Sequence, residues 1–359
     1  MLRSLQIIDT LQVGGAERLA INYANGLSQL GVQSHLCATR QEGPLLKVLD
    51  ENVEYIFLNK KSTIDFKAFL ALRSYILTTK INVIHAHSSS FFIAVIMKLF
   101  IPHLKIIWHD HYGNSEFLNK RPKLLLKFCS LFFSYILSVN KDLRQWSAKN
   151  LHCKNVIYLK NFPVLKKATG SSTTLYGENG KRILCLANLR EQKNQIRLLE
   201  SFQQVASKYP DWTLHCVGKN FHDDYSRRFF EKLRKLDLNN FVYFYDSKTD
   251  IINIMQQCQI GILVSKSEGL PMALLEYGIS SLAVICTDVG DCGELIKDNC
   301  YGILLEDDRS TTISEAIMAF IEDKDYRTGS AHKFHEMILR DYSEKPILTQ
   351  VVDIYNQVV

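Results

Sequence analysis

Short apolar runs recur along this 359-residue chain, and between them lie longer stretches whose apolar positions return every three or four residues. A short run bounded by polar turns reads as a strand buried on both faces, and the longer period reads as an amphipathic helix. In the first half the expected strands are Leu5–Ile8, Gln33–Ala38, Tyr55–Leu58, Val83–His85, Lys105–Trp108, Ile136–Val139 and Val156–Leu159. Helical stretches such as Glu17–Leu30 separate them. The second half restarts the alternation with Arg182–Ala187, Thr213–Val217, Val242–Tyr245, Ile260–Val264 and Leu282–Cys286. Its helices include Gln195–Lys208, Ile251–Gln257 and Pro271–Gly278, and a last amphipathic stretch, Pro346–Val359, closes the chain.

Strands alternating with helices from end to end predict an α/β protein built on parallel sheets. The Ser-, Thr- and Gly-rich stretch 166–180 is the best linker in the sequence. It divides the chain into a Rossmann-like unit over 1–165 and a second over 181–345, leaving 346–359 as a helix that can pack back on the first. Two such units predict a central cleft between the carboxyl ends of two sheets, where folds of this kind bind ligands.

Composition narrows the setting. Hydrophobic residues make up 47% and charged residues 22%, the mixture of an ordinary globular protein and not of a disordered one. The nine cysteines form no CxxC pair, and most sit in apolar runs such as Leu184-Cys185-Leu186. Buried, reduced thiols do this, which implies a reducing, cytoplasmic setting. Met1-Leu2-Arg3 runs straight into Leu5–Ile8, a first strand and not the apolar core of a secretory signal. Phe91–Phe100 and Leu124–Val139 are too short to span a bilayer, and Lys98 or Lys127 interrupts them.

The net charge of +6 is unevenly spread. Residues 1–167 carry 22 Lys/Arg against 10 Asp/Glu, whereas residues 168–359 carry 21 against 27. A first half at +12 beside a second at −6 suggests that the first meets an anionic surface or substrate. No nucleic-acid partner is expected.

The segment with the most chemistry runs from Ser265 to Glu276, Ser-Lys-Ser-Glu-Gly-Leu-Pro-Met-Ala-Leu-Leu-Glu. It reads as a strand end, a polar turn and a helix opening at Pro271, a residue suited to the first helical position because its missing N–H would be unpaired there anyway. The N–H groups of Met272 and Ala273, with the helix dipole behind them, make an anion site. Glu268 stands just before that site and Glu276 about a turn and a half inside the helix. Two carboxylates flanking an anion site suit a ligand with a phosphate between two hydroxyl-bearing groups.

This segment resembles the E-x7-E motif of the family 4 glycosyltransferases, including its Glu-Gly-Leu-Pro opening. The resemblance implies the GT-B fold of two Rossmann-like domains and a retaining, metal-independent transfer of a sugar from a nucleotide diphosphate, most commonly a uridine one. It implies that Glu268 holds hydroxyls of the donor sugar and Glu276 the ribose, with Gly269, Leu270, Met272 and Ala273 completing the donor site. Ala187-Asn188-Leu189-Arg190-Glu191-Gln192-Lys193 resembles the family's basic loop, which meets the charge of the departing diphosphate. Lys193 matches the family lysine; the usual arginine is Asn188 here, and Arg190 stands two residues later as its substitute.

The first half fits the same order. Asp9 to Arg18 joins the first strand to the first helix and resembles the family's N-terminal glycine pair, where backbone without a Cβ approaches donor phosphate and acceptor. That places Gly15 beside the donor, and Gly14, Glu17 and Arg18 on the acceptor side. Because the loop is not GxGxxG, dinucleotide binding loses support. His85-Ala86-His87 and His109-Asp110-His111 follow strands and resemble the family's strand-end histidines, His109 matching the one that touches the donor sugar. Histidines at i and i+2 without a third partner are weak metal ligands, so neither metal nor cofactor is expected. Asn140 stands where the family has a serine, Lys160-Asn161 matches its interdomain asparagine, and Thr287–Leu295 matches the loop after the E-x7-E helix.

The acceptor implied is a glycan or a lipid-linked sugar, as in surface-polysaccharide synthesis. Lys120, Arg121, Lys123 and Lys127 precede Phe128, Leu131, Phe132, Phe133 and Tyr135, a combination that suits an anionic membrane surface as well as a core helix with a solvated basic entry. A nucleotide-sugar epimerase on the same fold and a catalytically silent sugar-nucleotide-binding module remain as alternatives.

Overall fold

The computed structural model describes residues 2–113, 115–164 and 173–359. The chain divides into two units, the first comprising 1–162 with 343–359 and the second 163–342.

The first unit runs β1 (Arg3–Thr10), α1 (Gly15–Gln29), β2 (Gln33–Gln41), β3 (Glu54–Phe57), α2 (Phe66–Thr79), β4 (Val83–His87), α3 (Phe91–Phe100), β5 (Lys105–Asp110), α4 (Leu124–Cys129), β6 (Tyr135–Ser138), α5 (Lys141–Asn150) and β7 (Val156–Tyr158). Its seven strands pair in parallel in the order β3-β2-β1-β4-β5-β6-β7. Right-handed crossovers moving outward in opposite directions from β1 put α1 on one face and α2 to α5 on the other. The two faces have separate cores: Leu5, Leu72, Ile93 and Trp108 belong to one, and Ile8, Ala20, Ala24 and Leu36 to the other.

The second unit repeats the plan. It runs β8 (Arg182–Leu186), α6 (Gln195–Lys208), β9 (Thr213–Val217), α7 (Asp224–Lys235), β10 (Val242–Tyr245), α8 (Ile251–Gln256), β11 (Ile260–Leu263), α9 (Met272–Ile279), β12 (Ala283–Thr287), α10 (Cys292–Leu295), β13 (Ile303–Leu305), α11 (Ser310–Glu322) and α12 (Lys324–Asp341). The parallel order is β10-β9-β8-β11-β12-β13, again reversing direction at the first strand. The chain ends in α13 (Glu344–Val358), which packs on α1 in the first unit and buries Ile347, Val351 and Tyr355.

Several expectations need correction. Strand β13 was not anticipated. Pro271 is the N-cap of α9 with extended backbone, and Met272 is the first helical residue. Of the expected linker, 166–172 lies outside the described residues, and 173–180 belongs to the second unit. There Thr173 donates to Asp250 from its N–H and its hydroxyl (2.6 and 3.0 Å), and Leu175 N–H donates to Gln257 Oε1 at 3.0 Å.

Arg121 does not face a membrane. It is buried, with its guanidinium forked onto Asp110 at 2.7 and 2.8 Å and stacked 4.4 Å from the rings of Tyr112 and Trp146. A buried charge needs such a partner, and the planar fork of arginine fits a carboxylate with two bonds. Among the described residues no helix is long and apolar enough to cross a membrane.

Candidate active site

In the second unit the sheet order reverses between β8 and β11, and the loops leaving their carboxyl ends therefore meet. The loop after β8 carries Lys193 and the loop after β11 carries Glu268. Lys193 sits at the end of a short 3₁₀ turn (Glu191–Lys193), and its Nζ donates to Glu268 Oε1 at 2.5 Å. The Glu268 side chain is only 6% exposed, so this pair is shielded from water more than a surface salt bridge is. Backbone ties hold the loops together: Lys266 N–H donates to Gln192 O at 2.8 Å, and Gln192 Nε2 to Ser267 O at 2.8 Å. Lys266 and Arg228 both pair with Glu191, whose carboxyl is held below its usual range, chiefly by the Arg228 hydrogen bond.

A third loop clamps this arrangement. Gly290 has φ +56°, and a Cβ there would lie 2.4 Å from Glu268 O and 2.5 Å from Gly269 O. Any side chain would push the Glu268-Gly269 backbone away. Asp291 N–H donates to Gly269 O at 2.9 Å, closing the contact. Behind the loops, the Tyr277 hydroxyl accepts from Leu186 N–H at 2.6 Å and lies 3.2 Å from Leu184 O, pinning α9 to β8. Sequence reasoning missed Tyr277; an aromatic one residue after Glu276, packed over the bare Cα of Gly261, gives no separate signal.

Glu276 is buried on α9, four residues after Met272, and Ala273 is half-buried at the helix start. Gly269 and Leu270 are buried in the loop before it. Arg190 is exposed, its guanidinium 4.6 Å from the Phe221 ring. Asn188 ties two strands together, because its Oδ1 accepts from Lys219 N–H at 2.8 Å and so joins the ends of β8 and β9. Lys193, Glu268, Gly269, Leu270 and the start of α9 are thus brought together in one place.

The remaining candidates belong to the first unit. Gly14 is the extended N-cap of α1, and Arg18 N–H donates to its carbonyl at 2.9 Å. A Cβ at Gly14 would meet the flexible end of Glu17, 2.3 Å from Oε2, so the fold itself has little need of glycine there. Gly15, Glu17 and Arg18 form the first turn, with Gly15 exposed and the other two half-buried.

His109 is the last residue but one of β5 and is fully buried. His85 and His87 on β4, His109 on β5 and His111 just after it stack their rings beneath Tyr23 of α1 and Tyr355 of α13, and the first three are fully buried. One chain of hydrogen bonds fixes their protons. His87 Nε2 donates to Gln6 Oε1 at 2.9 Å, so His87 Nδ1 accepts from His111 Nε2 at 3.0 Å. Gln6 Nε2 donates to the Tyr355 hydroxyl, which gives its own proton to His85 Nδ1 at 2.6 Å. His85 Nε2 then donates to His109 Nδ1 at 3.1 Å, leaving His109 Nε2–H, which has no hydrogen-bond partner among the described residues. Burial pushes His85 and His111 down to about 3 and lowers His87 and His109 well below their ordinary value, so all four are neutral near pH 7. Nitrogens of His85, His87 and His109 lie within 4.8 Å of one another, close enough to share a metal ion. Five of their six nitrogens are already engaged in this chain, which reads as a hydrogen-bonded core with one donor left over.

Residues 13–159 match the family described as Glycosyltransferase Family 4, and residues 172–336 the family described as Glycosyl transferases group 1. Over 349 residues the chain is 22% identical to the O-antigen biosynthesis glycosyltransferase WbnH of Escherichia coli, covering 94% of this chain and 96% of the relative. It is 22% identical over 309 residues to the Escherichia coli UDP-Gal:alpha-D-GlcNAc-diphosphoundecaprenol alpha-1,3-galactosyltransferase, covering 79% of each. The structure of Anabaena Alr3699/HepE in complex with UDP and glucose matches 99% of this chain and 100% of its own, with a TM-score of 0.80 at 16% identity. That likeness shows the fold, the GT-B pair of Rossmann-like units.

Proposed function

This chain belongs to the family 4 glycosyltransferases, and from that premise we propose that it moves a sugar, with retention, from a uridine diphosphate donor to a glycan or lipid-linked acceptor. Surface-polysaccharide assembly is the setting, by likeness to the O-antigen enzyme and to the galactosyltransferase acting on a diphosphoundecaprenol sugar. The observation that carries the reading is the Lys193–Glu268 pair at the switch point, beside the start of α9. Glu276 takes the ribose hydroxyls, the Met272 and Ala273 N–H groups and Lys193 take the diphosphate, and Glu268 with Gly269 and Leu270 takes the sugar. Gly15 is assigned to the donor and Gly14, Glu17 and Arg18 to the acceptor, whereas His109, fully buried, is left out of the sugar contacts.

In the reaction the bond from the anomeric carbon to the diphosphate breaks and a bond to the acceptor oxygen forms on the same face. The acceptor proton passes to the departing phosphate oxygen. Lys193 and Arg190 meet the charge that develops there, which is where a fixed cation lowers the barrier. Neither glutamate is required as a nucleophile.

A thermal-shift panel of UDP-, GDP- and ADP-sugars tests the donor. Ligand at a hundred times its Kd adds about 2.7 kcal/mol to the folded form, which is several degrees for a domain of this size. A UDP-sugar is expected to give that rise, and Glu276→Ala to remove it; no rise with any nucleotide sugar would sink the assignment. Retention is read from the product's anomeric coupling by NMR.

Activity is also expected to persist in excess EDTA, since Lys193, Arg190 and the helix start supply the diphosphate's partners. Loss on chelation that Mg²⁺ or Mn²⁺ restores would overturn this.

A further inference from the structure

The first unit has a switch point of its own. Its sheet order reverses between β1 and β4, where Asp9 near the end of β1 meets Ser89 just past β4. Ser89 Oγ donates to Asp9 Oδ2 at 2.6 Å, and Thr39 Oγ1 on β2 donates to Asp9 Oδ1 at 2.5 Å. Both carboxylate oxygens are thus engaged by hydroxyls. Arg40, the next residue on β2, brings its Nε only to 3.9 Å from Asp9 Oδ1, and its side chain is 39% exposed. Lys60 reaches the same edge from the loop after β3. Its N–H donates to Thr39 O at 2.7 Å, continuing the β2–β3 pairing after Asn59 has turned the chain with φ +50°.

Lys60 is the unusual member of this group. It is 6% exposed, yet its ammonium has no hydrogen-bond or ion-pair partner among the described residues. The charges that act on it are those of Arg40, Asp9 and Asp65, and burial together with Arg40 holds it below the ordinary lysine range in spite of the two acids. Asp65 is committed elsewhere, accepting the N–H groups of Lys61 and Ala68 at 3.0 and 3.1 Å at the start of α2. A buried ammonium beside a guanidinium, with the nearby acids bonded to other groups, is costly for the fold alone. An oxyanion between the two cations removes that cost, because it supplies the acceptor oxygens that both lack. A planar guanidinium beside a compact ammonium suits the several oxygens of a phosphoryl group.

We propose that Arg40 and Lys60 form an oxyanion subsite at the carboxyl edge of the first sheet, which takes a phosphoryl group of the acceptor, while Asp9 and Ser89 beside them take hydroxyls of its sugar. The inference rests on the transferase reading and narrows its acceptor to a sugar carrying a phosphoryl group. It uses neither Lys193 nor Glu268, which serve the donor. Inorganic phosphate is the other source of the same chemistry, and it has no use for the hydroxyl partners at Asp9 and Ser89.

The test is calorimetric titration of the full chain, with excess UDP present to occupy the second unit. The probes are inorganic phosphate, the 1-phosphates of glucose, galactose and N-acetylglucosamine, and the three sugars without phosphate. The best sugar phosphate is expected to bind roughly tenfold or more tightly than inorganic phosphate, and the sugars without phosphate not to bind measurably. Lys60→Met keeps the apolar stem and removes the charge, and Arg40→Ser removes the other cation. Each is expected to weaken the sugar phosphate roughly tenfold or more, the scale of one charge-assisted hydrogen bond. Ligand-free Lys60→Met is also expected to melt above the wild type, because a buried charge without a partner is gone, whereas a lysine serving the fold alone would leave a less stable variant. No binding by the wild type, unchanged affinity in both variants, or a lowered Tm in Lys60→Met would overturn the proposal. Equal affinity for phosphate and every sugar phosphate would overturn it too, by showing a site for phosphate alone. The donor reading fails separately, on the UDP-sugar thermal shift, which none of these titrations measures.

Discussion

Lys193→Ala is expected to lower kcat by roughly two to three orders of magnitude, the scale of removing one fixed charge contact to a developing oxyanion, about 3–4 kcal/mol. The structure makes the test sharper than the sequence did, because Lys193 also neutralises Glu268, whose side chain is 6% exposed. Removing one member of a shielded pair leaves the other uncompensated, so a fall in activity has two possible origins. A double-mutant cycle separates them. If Lys193 acts on the departing diphosphate, Lys193→Ala lowers kcat in a background of Glu268→Gln as it does in the wild type. If it serves to hold Glu268, the double variant is no worse than Glu268→Gln alone. Near-normal kcat in a folded Lys193→Ala protein would end its assignment to the leaving group. Lys193→Arg is not a neutral control, because a longer, planar guanidinium does not put its charge where the compact ammonium sits.

The architecture was legible because strands of a covered parallel sheet are apolar on both faces and stand out against amphipathic helices. Twelve of the thirteen strands are therefore visible in the sequence, and β13, the run Ile303–Leu305, was passed over. The site was legible where chemistry is contiguous: Glu268, Gly269, Leu270 and Glu276 come in one segment. That Lys193 bonds Glu268, 75 residues away, follows only from the strand order that sets β8 beside β11. Gly290 stood in a quoted loop, but its contact with the Glu268 backbone is tertiary. The histidines stand near the strand ends, as read, but their ladder across β4 and β5 arises from register, His87 lying opposite His109.

That histidine ladder leads to the other large effect: the first unit is expected to lose stability steeply as pH falls from 7 to 5. His85, His87 and His109 are buried and neutral, with folded pKa values pushed down by loss of water, to about 3 for His85. In the unfolded chain each titrates near 6.5. Between those values the unfolded state binds protons that the folded state refuses, so stability is fully present above about 6.5 and falls as pH drops toward 3. For His85 alone this is about 2 kcal/mol by pH 5, and His87 and His109 act in the same direction. Even the His85 share is a large fraction of a stability at the low end of the roughly 5–15 kcal/mol that holds a domain folded. His111, also lowered to about 3 by burial, acts in the same direction. Trp108 and Trp146 report the first unit and Trp212 the second, so urea unfolding of a Trp212→Phe protein at pH 7, 6 and 5 follows the first unit by fluorescence. The midpoint is expected to fall at each step, most between pH 6 and 5, above the range where carboxylates titrate. A midpoint constant from pH 7 to 5 would mean that the ladder accepts protons in the folded state, and the neutral tautomer chain ending at His109 Nε2–H would have to be abandoned with it.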